Sequence, residues 1–141
     1  MKALTPAEFL RTVYVGDRAC KAIRIESWRN EVVLEVDELS RIRSSSGQWD
    51  FYTAEDIPDG RIVFSGVEAI NFEPPGPLPN DFINAISAKL VGDDPEKKRW
   101  EFEASISSVA LDGSNTEVTV RIIGADVHLE DPARDGLKIR D

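Results

Sequence analysis

The chain has 141 residues and carries 26 acidic against 17 basic side chains, which gives a formal charge of −9. This acidity argues against nucleic acid and anionic membrane surfaces as ligands, because both attract a basic face. The length predicts a single domain that can bury a core without disulfide or metal staples. The charge would steer a basic partner toward the protein, although it also serves to keep a small domain soluble.

The sequence has one cysteine, Cys20, so an intramolecular disulfide is excluded. Cys20 comes just before a strand pattern, where we expect a buried, unreactive thiol. The first residues show no apolar segment of the kind found in a signal peptide, and no apolar run reaches the roughly 20 residues of a membrane span. These features predict a cytoplasmic protein.

A helix is predicted near the start of the chain. Thr5 and Glu8 have the spacing of a capping box, and Pro6 occupies the first helical position. Gly16 is a typical stop, so the helix should have about two to three turns. Its predicted apolar face comprises Phe9, Leu10, Val13 and Tyr14.

The first hairpin follows this helix. Residues 21–28 and 31–37 alternate apolar and polar side chains, with Arg29 and Asn30 at the turn between them. The inward faces are expected to carry Ile23 and Ile25 on one strand and Val32, Leu34 and Val36 on the other.

The middle of the chain carries the clearest strand signal, residues 61–72. The pair Asp59 and Gly60 predicts a tight turn before it. Gly66 interrupts the pattern and predicts a bend or turn at which the buried face changes, since glycine accepts a bulge or a positive φ. The four prolines of residues 74–79 end the strand, because proline removes a backbone donor.

A second helix is predicted after the prolines. Asn80 is a favourable N-cap residue, and Asp81 would lie in the first turn. The apolar stripe of this helix would comprise Phe82, Ile83, Ile86 and Leu90.

The last third of the chain predicts a second hairpin, with strands at residues 100–107 and 118–123 around a turn at 112–115. A short final strand should contain Val127 and Leu129. Alternation with a polar face indicates antiparallel pairing. We therefore predict a mainly β fold, an antiparallel β-sandwich or half-barrel with two short helices. Its domain should span residues 1–130, and residues 131–141 should form a flexible tail.

The sequence contains no catalytic or metal-binding motif that we would assign. His128 is the only histidine, and no Gly-x-Ser-x-Gly nucleophile turn is present, so a catalytic pair is not predicted. We expect His128 to be a partly exposed strand residue. Asp93, Asp94 and Glu96 lack the spacing of a calcium loop and are expected to form a solvated turn. We predict no cofactor, no metal and no enzymatic activity.

One stretch, the aromatic–acidic stretch, gathers aromatic and acidic side chains directly before the central strands. Aromatic residues are enriched in interface cores, and carboxylates beside them suit a basic partner. Two other interpretations stay open: a sugar-type pocket, or core packing of Trp49 and Phe51 with Tyr52 half exposed. The candidate partner-binding residues are Trp49, Asp50, Tyr52, Glu55, Asp56 and Asp59.

Five runs stand out in combination, at residues 14–21, 49–52, 64–67, 79–83 and 128–132. Together they resemble a bacterial family of uncharacterised small proteins, and the resemblance extends over nearly the whole chain. That family has no established activity, so it implies no functional residues. More loosely, the order of a hairpin, a Phe-x-Gly-Val strand, an Asn-capped helix and a final hairpin resembles small β-rich immunity proteins of bacterial toxin systems.

We therefore expect a non-enzymatic cytoplasmic bacterial protein that binds another protein, such as an immunity protein that blocks a basic toxin through an acidic surface. The first alternative is a small-molecule-binding or hydrolytic domain with a pocket near residues 49–52. The second is a structural subunit that assembles into a homo-oligomer through exposed strand edges.

Overall fold

The structure is a computed structural model that describes residues 4–42, 56–92 and 98–140. In these ranges the chain forms one short helix, one 3-10 turn and eleven strands. The helix α1 is Pro6–Leu10, and the 3-10 turn is Ser27–Arg29. The strands are β1 Val13–Tyr14, β2 Cys20–Glu26, β3 Glu31–Val36, β4 Glu38–Arg41, β5 Ile57–Pro58, β6 Arg61–Ser65, β7 Ala69–Glu73, β8 Ile83–Val91, β9 Arg99–Val109, β10 Asn115–Gly124 and β11 Asp126–Glu130.

The strands form three antiparallel sheets, which confirms the predicted mainly β fold. Sheet I has the order β11-β6-β3-β2, sheet II the order β7-β10-β9-β8, and sheet III the order β1-β4-β5. Both predicted hairpins are present, as β2 with β3 and as β9 with β10. The predicted final strand is β11, which pairs with β6 at the edge of sheet I.

The core lies between the two larger sheets. Phe64 of sheet I and Phe102 of sheet II meet there, with ring centroids 4.9 Å apart and planes tilted by 52°. Ala19, directly before β2, pairs with Phe82, directly before β8. Ile25, near the end of β2, lines a groove together with Phe72 of β7. Because β7 and β8 are opposite edges of sheet II, β2 crosses that sheet from one edge to the other.

Gly66 is the point at which the chain passes from sheet I to sheet II, between β6 and β7. Its φ is +62°, a left-handed conformation that favours glycine. A Cβ atom at this position would lie 2.8 Å from the Cβ of Ala125, so the space is also closed to a side chain. The predicted bend is therefore confirmed as a turn between sheets.

The first helix begins at the predicted residue and ends earlier in the chain than predicted. Thr5 accepts from the backbone N–H of Glu8 at 3.2 Å, and the Glu8 carboxylate accepts from the N–H of Thr5 at 3.0 Å. The helix stops at Leu10 because the β-branched run that follows favours extended backbone, and Val13 and Tyr14 pair with β4 instead. The prediction of two to three helical turns ending near Gly16 is wrong.

The predicted second helix is wrong, because its residues form β8 instead. The pairing of β8 with β9 shifts register between Ile83 and Ala85, which is a β-bulge. The bulge changes which residues face the core, so that Ile83 lies opposite Ile106 and Ile86 lies opposite Ala104. Ile83 and Ile86 are three residues apart, a spacing that is typical of a helix. Here the spacing arises because the bulge adds one residue to a strand.

The end of the chain folds back on β11. Leu129 and Ile139 exchange two backbone hydrogen bonds, each 2.9 Å long. Arg140 forms an ion pair with Asp126. The predicted division into a domain of residues 1–130 and a flexible tail of 131–141 stays a prediction.

Candidate binding surface

Most of the aromatic–acidic stretch lies outside the described residues. This applies to Trp49, Asp50, Tyr52 and Glu55, and equally to the acidic turn at residues 93–97. Asp56 is half-buried and Asp59 is exposed. The partner surface predicted there therefore stays a prediction.

Asp59 has partners within the protein. It occupies the turn before β6 at a φ of 55°, and its N–H donates to the carbonyl oxygen of Asp37 at 2.8 Å. Its carboxylate accepts a hydrogen bond from Nζ of Lys21 at 2.5 Å. This contact raises the pKa of Lys21, because the carboxylate both bonds and attracts the ammonium group. Asp59 thus joins its turn to β2.

His128 is buried, with 1% of its surface exposed, so the prediction of a partly exposed residue is wrong. Its neighbours across the sheet, Val63 and Val33, are also buried, on the face of sheet I opposite the core. Nε2 of His128 lies 2.9 Å from Oε2 of Glu130. Nδ1 has no hydrogen-bond partner among the described residues. One ring nitrogen of this buried side chain therefore contacts Glu130, and the other has no partner in the described part of the chain.

Alternating charges cross the same face of sheet I. Arg61 lies between Glu130 and Glu35, at 4.0 Å and 3.8 Å. Arg24 lies between Glu35 and Glu26, at 2.7 Å and 3.6 Å. Each of these three carboxylates therefore has a guanidinium neighbour that compensates its charge locally.

The strongest candidate site is formed by two loops at one end of sheet II, which we call the linker–hairpin surface. It comprises the β7–β8 linker, residues 74–81, and the end of the β9–β10 hairpin, residues 109–117. Leu78 is 74% exposed and Leu111 is fully exposed. Between the loops lies an open groove of about 530 Å³. It is lined by Pro77, Leu78, Asn80, Ser108, Val109, Ala110, Leu111, Ser114 and Thr116.

The linker is held in place by Asn80. Its side-chain amide donates to the carbonyl oxygen of Val109 at 3.0 Å and accepts from the N–H of the same residue at 2.8 Å. The N–H groups of Asn80 and Asp81 both donate to the carbonyl oxygen of Ser107. These contacts and the prolines fix one wall of the groove against β9.

A second groove, of about 350 Å³, lies on the other side of Leu78. Its walls are the β2 residues Ile23 and Ile25, together with Phe72 of β7 and Pro79 of the linker. Leu78 lines both grooves, so a partner that covered it would contact apolar walls on each side.

Four carboxylates, which we call the acidic rim, lie on or next to the two loops of the linker–hairpin surface: Asp81 and Asp112 in the loops, and Glu73 and Glu117 on the face of sheet II turned away from the core. Glu73, Asp81, Asp112 and Glu117 form no ion pair with any described residue. Asp112 accepts from the N–H and the hydroxyl of Ser114 at 2.9 and 2.7 Å, which lowers the pKa of its carboxyl group. The rim therefore carries uncompensated negative charge, unlike the paired face of sheet I.

In comparison with known protein families, the chain matches the model of a family of unknown function, DUF6258, over residues 4–141. The chain belongs to this family. No curated protein and no solved structure matches it. The predicted resemblance to an uncharacterised family is thereby confirmed.

The described residues hold no group of three or more His, Cys, Asp or Glu side chains arranged to bind a metal ion. In the same part of the chain, no helix has the length and apolar character needed to span a membrane.

Sequence reasoning missed the linker–hairpin surface because it placed Asn80 on a helix. One feature of the sequence did indicate an acidic surface. Residues 62–88 and 100–120 contain no lysine or arginine, although the chain has 17 such residues. Two long stretches without basic residues predict an acidic region wherever the fold brings them together.

Proposed function

We propose that the protein is a non-enzymatic binding module that binds a basic protein through its linker–hairpin surface. The observation that carries this proposal is the combination of exposed Leu78 and Leu111 with a rim of carboxylates that have no ion pair among the described residues. Exposed leucines alone are ordinary on a protein surface. Exposed leucines over apolar grooves, with unpaired carboxylates nearby, are typical of an interface.

The two kinds of residue have separate roles in this proposal. Leu78 and Leu111 supply apolar anchor area at the centre, where desolvation contributes most to affinity. Asp112 and Glu117 lie toward the rim, where unpaired charges steer a basic partner and select against acidic ones. The Asn80 contacts reduce the entropy lost on binding, because the linker is already ordered.

A finer form of the proposal is that the partner is a bacterial toxin and the protein its immunity protein. The loose resemblance to β-rich immunity proteins supports this form. So does the chemistry, since an inhibitor that covers a basic toxin surface needs a rigid acidic face and no catalytic groups.

Site-specific photo-crosslinking in native cells tests the binding surface. A photoreactive phenylalanine analogue would replace Leu78 or Leu111 in turn. The matched control places the same analogue at Leu137, which is 44% exposed and lies in the C-terminal segment. We expect a crosslinked protein of basic isoelectric point from positions 78 and 111 and none from position 137.

Three outcomes would contradict the proposal: no crosslinked protein at positions 78 and 111, equal crosslinking at all three positions, or a captured protein that is acidic. For the immunity form, co-expression with the captured protein should restore growth that the captured protein alone suppresses. A captured protein that is harmless by itself would overturn the immunity form and leave the binding proposal standing.

A further inference from the structure

Trp28 lies on a second exposed surface, which is distinct from the linker–hairpin surface. It belongs to the 3-10 turn between β2 and β3, and 99% of its side chain is exposed. Aromatic side chains bury about 150–250 Å² each when they find a partner, so complete exposure leaves much apolar area in water.

A groove of about 190 Å³ opens beside this tryptophan, and its walls include the polar side chains of Asn30, Glu31 and Glu68 as well as apolar ones. Ser27, the residue before Trp28, lines it together with Ile25, Val67 and Ile70. Its size is below the roughly 300–1,000 Å³ of small-molecule pockets. A cavity of about 150 Å³ holds benzene, so this groove has room for the six-membered ring of an indole.

The groove is held in place by backbone contacts. The N–H of Val67 donates to the carbonyl oxygen of Asn30 at 2.8 Å, and Nδ2 of Asn30 approaches the carbonyl oxygen of Val67 at 3.4 Å. These bonds join the β2–β3 turn to the crossing between the two sheets.

Two ion pairs flank the groove, in contrast to the linker–hairpin surface, and Glu31 also lines it. Arg29 lies 3.7 Å from Glu26, and Arg99 lies 3.0 Å from Glu68. A chain with a net charge of −9 repels its own copies over most of its surface. A region where two carboxylates already have guanidinium partners is where two copies can approach, because opposite charges can face each other across a two-fold axis.

We propose that two copies of the chain associate through this region, with Trp28 of each copy inserted into the groove of the other. The projecting side chain and the groove are neighbours on one surface, as a two-fold axis requires for reciprocal insertion. Two buried tryptophans and the walls that receive them remove roughly 600–1,000 Å² from water, which corresponds to a weak, transient dimer.

Analytical ultracentrifugation of the full chain over about 10 μM to 1 mM tests the proposal. The wild-type mass should rise from monomer toward dimer across this range. Trp28→Ser removes the inserted ring and should stay monomeric throughout. Leu111→Ser, which removes an equally exposed side chain from the other surface, should dimerise like the wild type.

A second variant tests the groove without touching the tryptophan. Ala69 lines the groove and is exposed, so Ala69→Glu should block insertion and also give a monomer. Mixing the two monomeric variants leaves one intact contact, since Trp28 of Ala69→Glu can enter the groove of Trp28→Ser. Partial association of the mixture is therefore expected. A wild type that stays monomeric at about 1 mM, or a Trp28→Ser variant that dimerises as before, would overturn the proposal.

Discussion

The side chain of Asn80 binds both backbone polar groups of Val109, with contacts of 3.0 and 2.8 Å. In this way a side-chain amide in the β7–β8 linker supplies the hydrogen bonds that another strand would give to the end of β9. The linker–hairpin surface depends on this pair, since it fixes the position of the groove wall that carries Leu78.

Asn80→Ala should lower the free energy of unfolding by about 1–3 kcal/mol, because two backbone groups lose their partner. Urea unfolding followed by circular dichroism measures this. Asn71→Ala is the matched control, since Asn71 is exposed on β7 and should change stability by less than about 0.5 kcal/mol. Equal stability of the two variants would show that the Asn80 contacts are not stabilising.

Cys20 should react slowly in the folded protein. It is 3% exposed, and burial raises the pKa of its thiol from 9.0 to about 11. A rise of about two units lowers the thiolate fraction near pH 8 about 100-fold, and the thiolate is the reactive form. Reaction with Ellman's reagent should therefore be at least about 100-fold slower in buffer than in urea. Comparable rates in the two conditions would mean that the thiol is accessible.

The same pKa shift predicts how stability depends on pH. Between about pH 9 and 11 the folded state keeps the thiol proton that the unfolded state loses. The free energy of unfolding should therefore fall as pH rises through this interval. Cys20→Ala removes this contribution, so the difference between the wild-type and variant stability profiles should narrow with rising pH. A difference that stays constant from pH 8 to pH 11 would contradict the assignment.

His128 should be replaceable by leucine at little cost, because Nδ1 has no hydrogen-bond partner among the described residues and the partner of Nε2, Glu130, is 34% exposed and can bond to water instead. Leucine fills a similar volume and the partly exposed Glu130 carboxylate keeps water as a partner, so His128→Leu should change stability by less than about 1 kcal/mol. His128→Ala leaves a cavity and should cost about 2–4 kcal/mol. Thermal and urea unfolding of both variants measures this. A large loss in His128→Leu would show that the contact of Nε2 with Glu130 is needed for stability.

The sequence predicts the hairpins well, because their alternation is unbroken. Trp100, Phe102, Ala104 and Ile106 are all buried, as their spacing of two indicates. The pattern is less informative in β8, where a bulge near Asn84 changes the parity and produces an apparent helical stripe. A bulge depends on the partner strand, which local sequence does not specify.

The candidate surface was harder to predict than the fold. Leu78 and Leu111 are 33 residues apart in the chain, and only the antiparallel order of sheet II brings their loops to the same end. The contact between Asn80 and Val109 has no sequence signal of its own. An asparagine before an apolar stripe is typical of a helix N-cap, and its role here depends on tertiary contact.

The central proposal is tested most directly by measuring how tightly the partner captured at Leu111 binds variants of the acidic rim. Asp112→Lys with Glu117→Lys reverses two exposed rim charges, and Asp135→Lys is the control at an exposed carboxylate in the C-terminal segment. Titration calorimetry should show affinity at least about tenfold weaker for the double variant, with a smaller salt dependence, and unchanged affinity for the control. Wild-type affinity in the double variant, or an equal loss in the control, would contradict binding through the linker–hairpin surface.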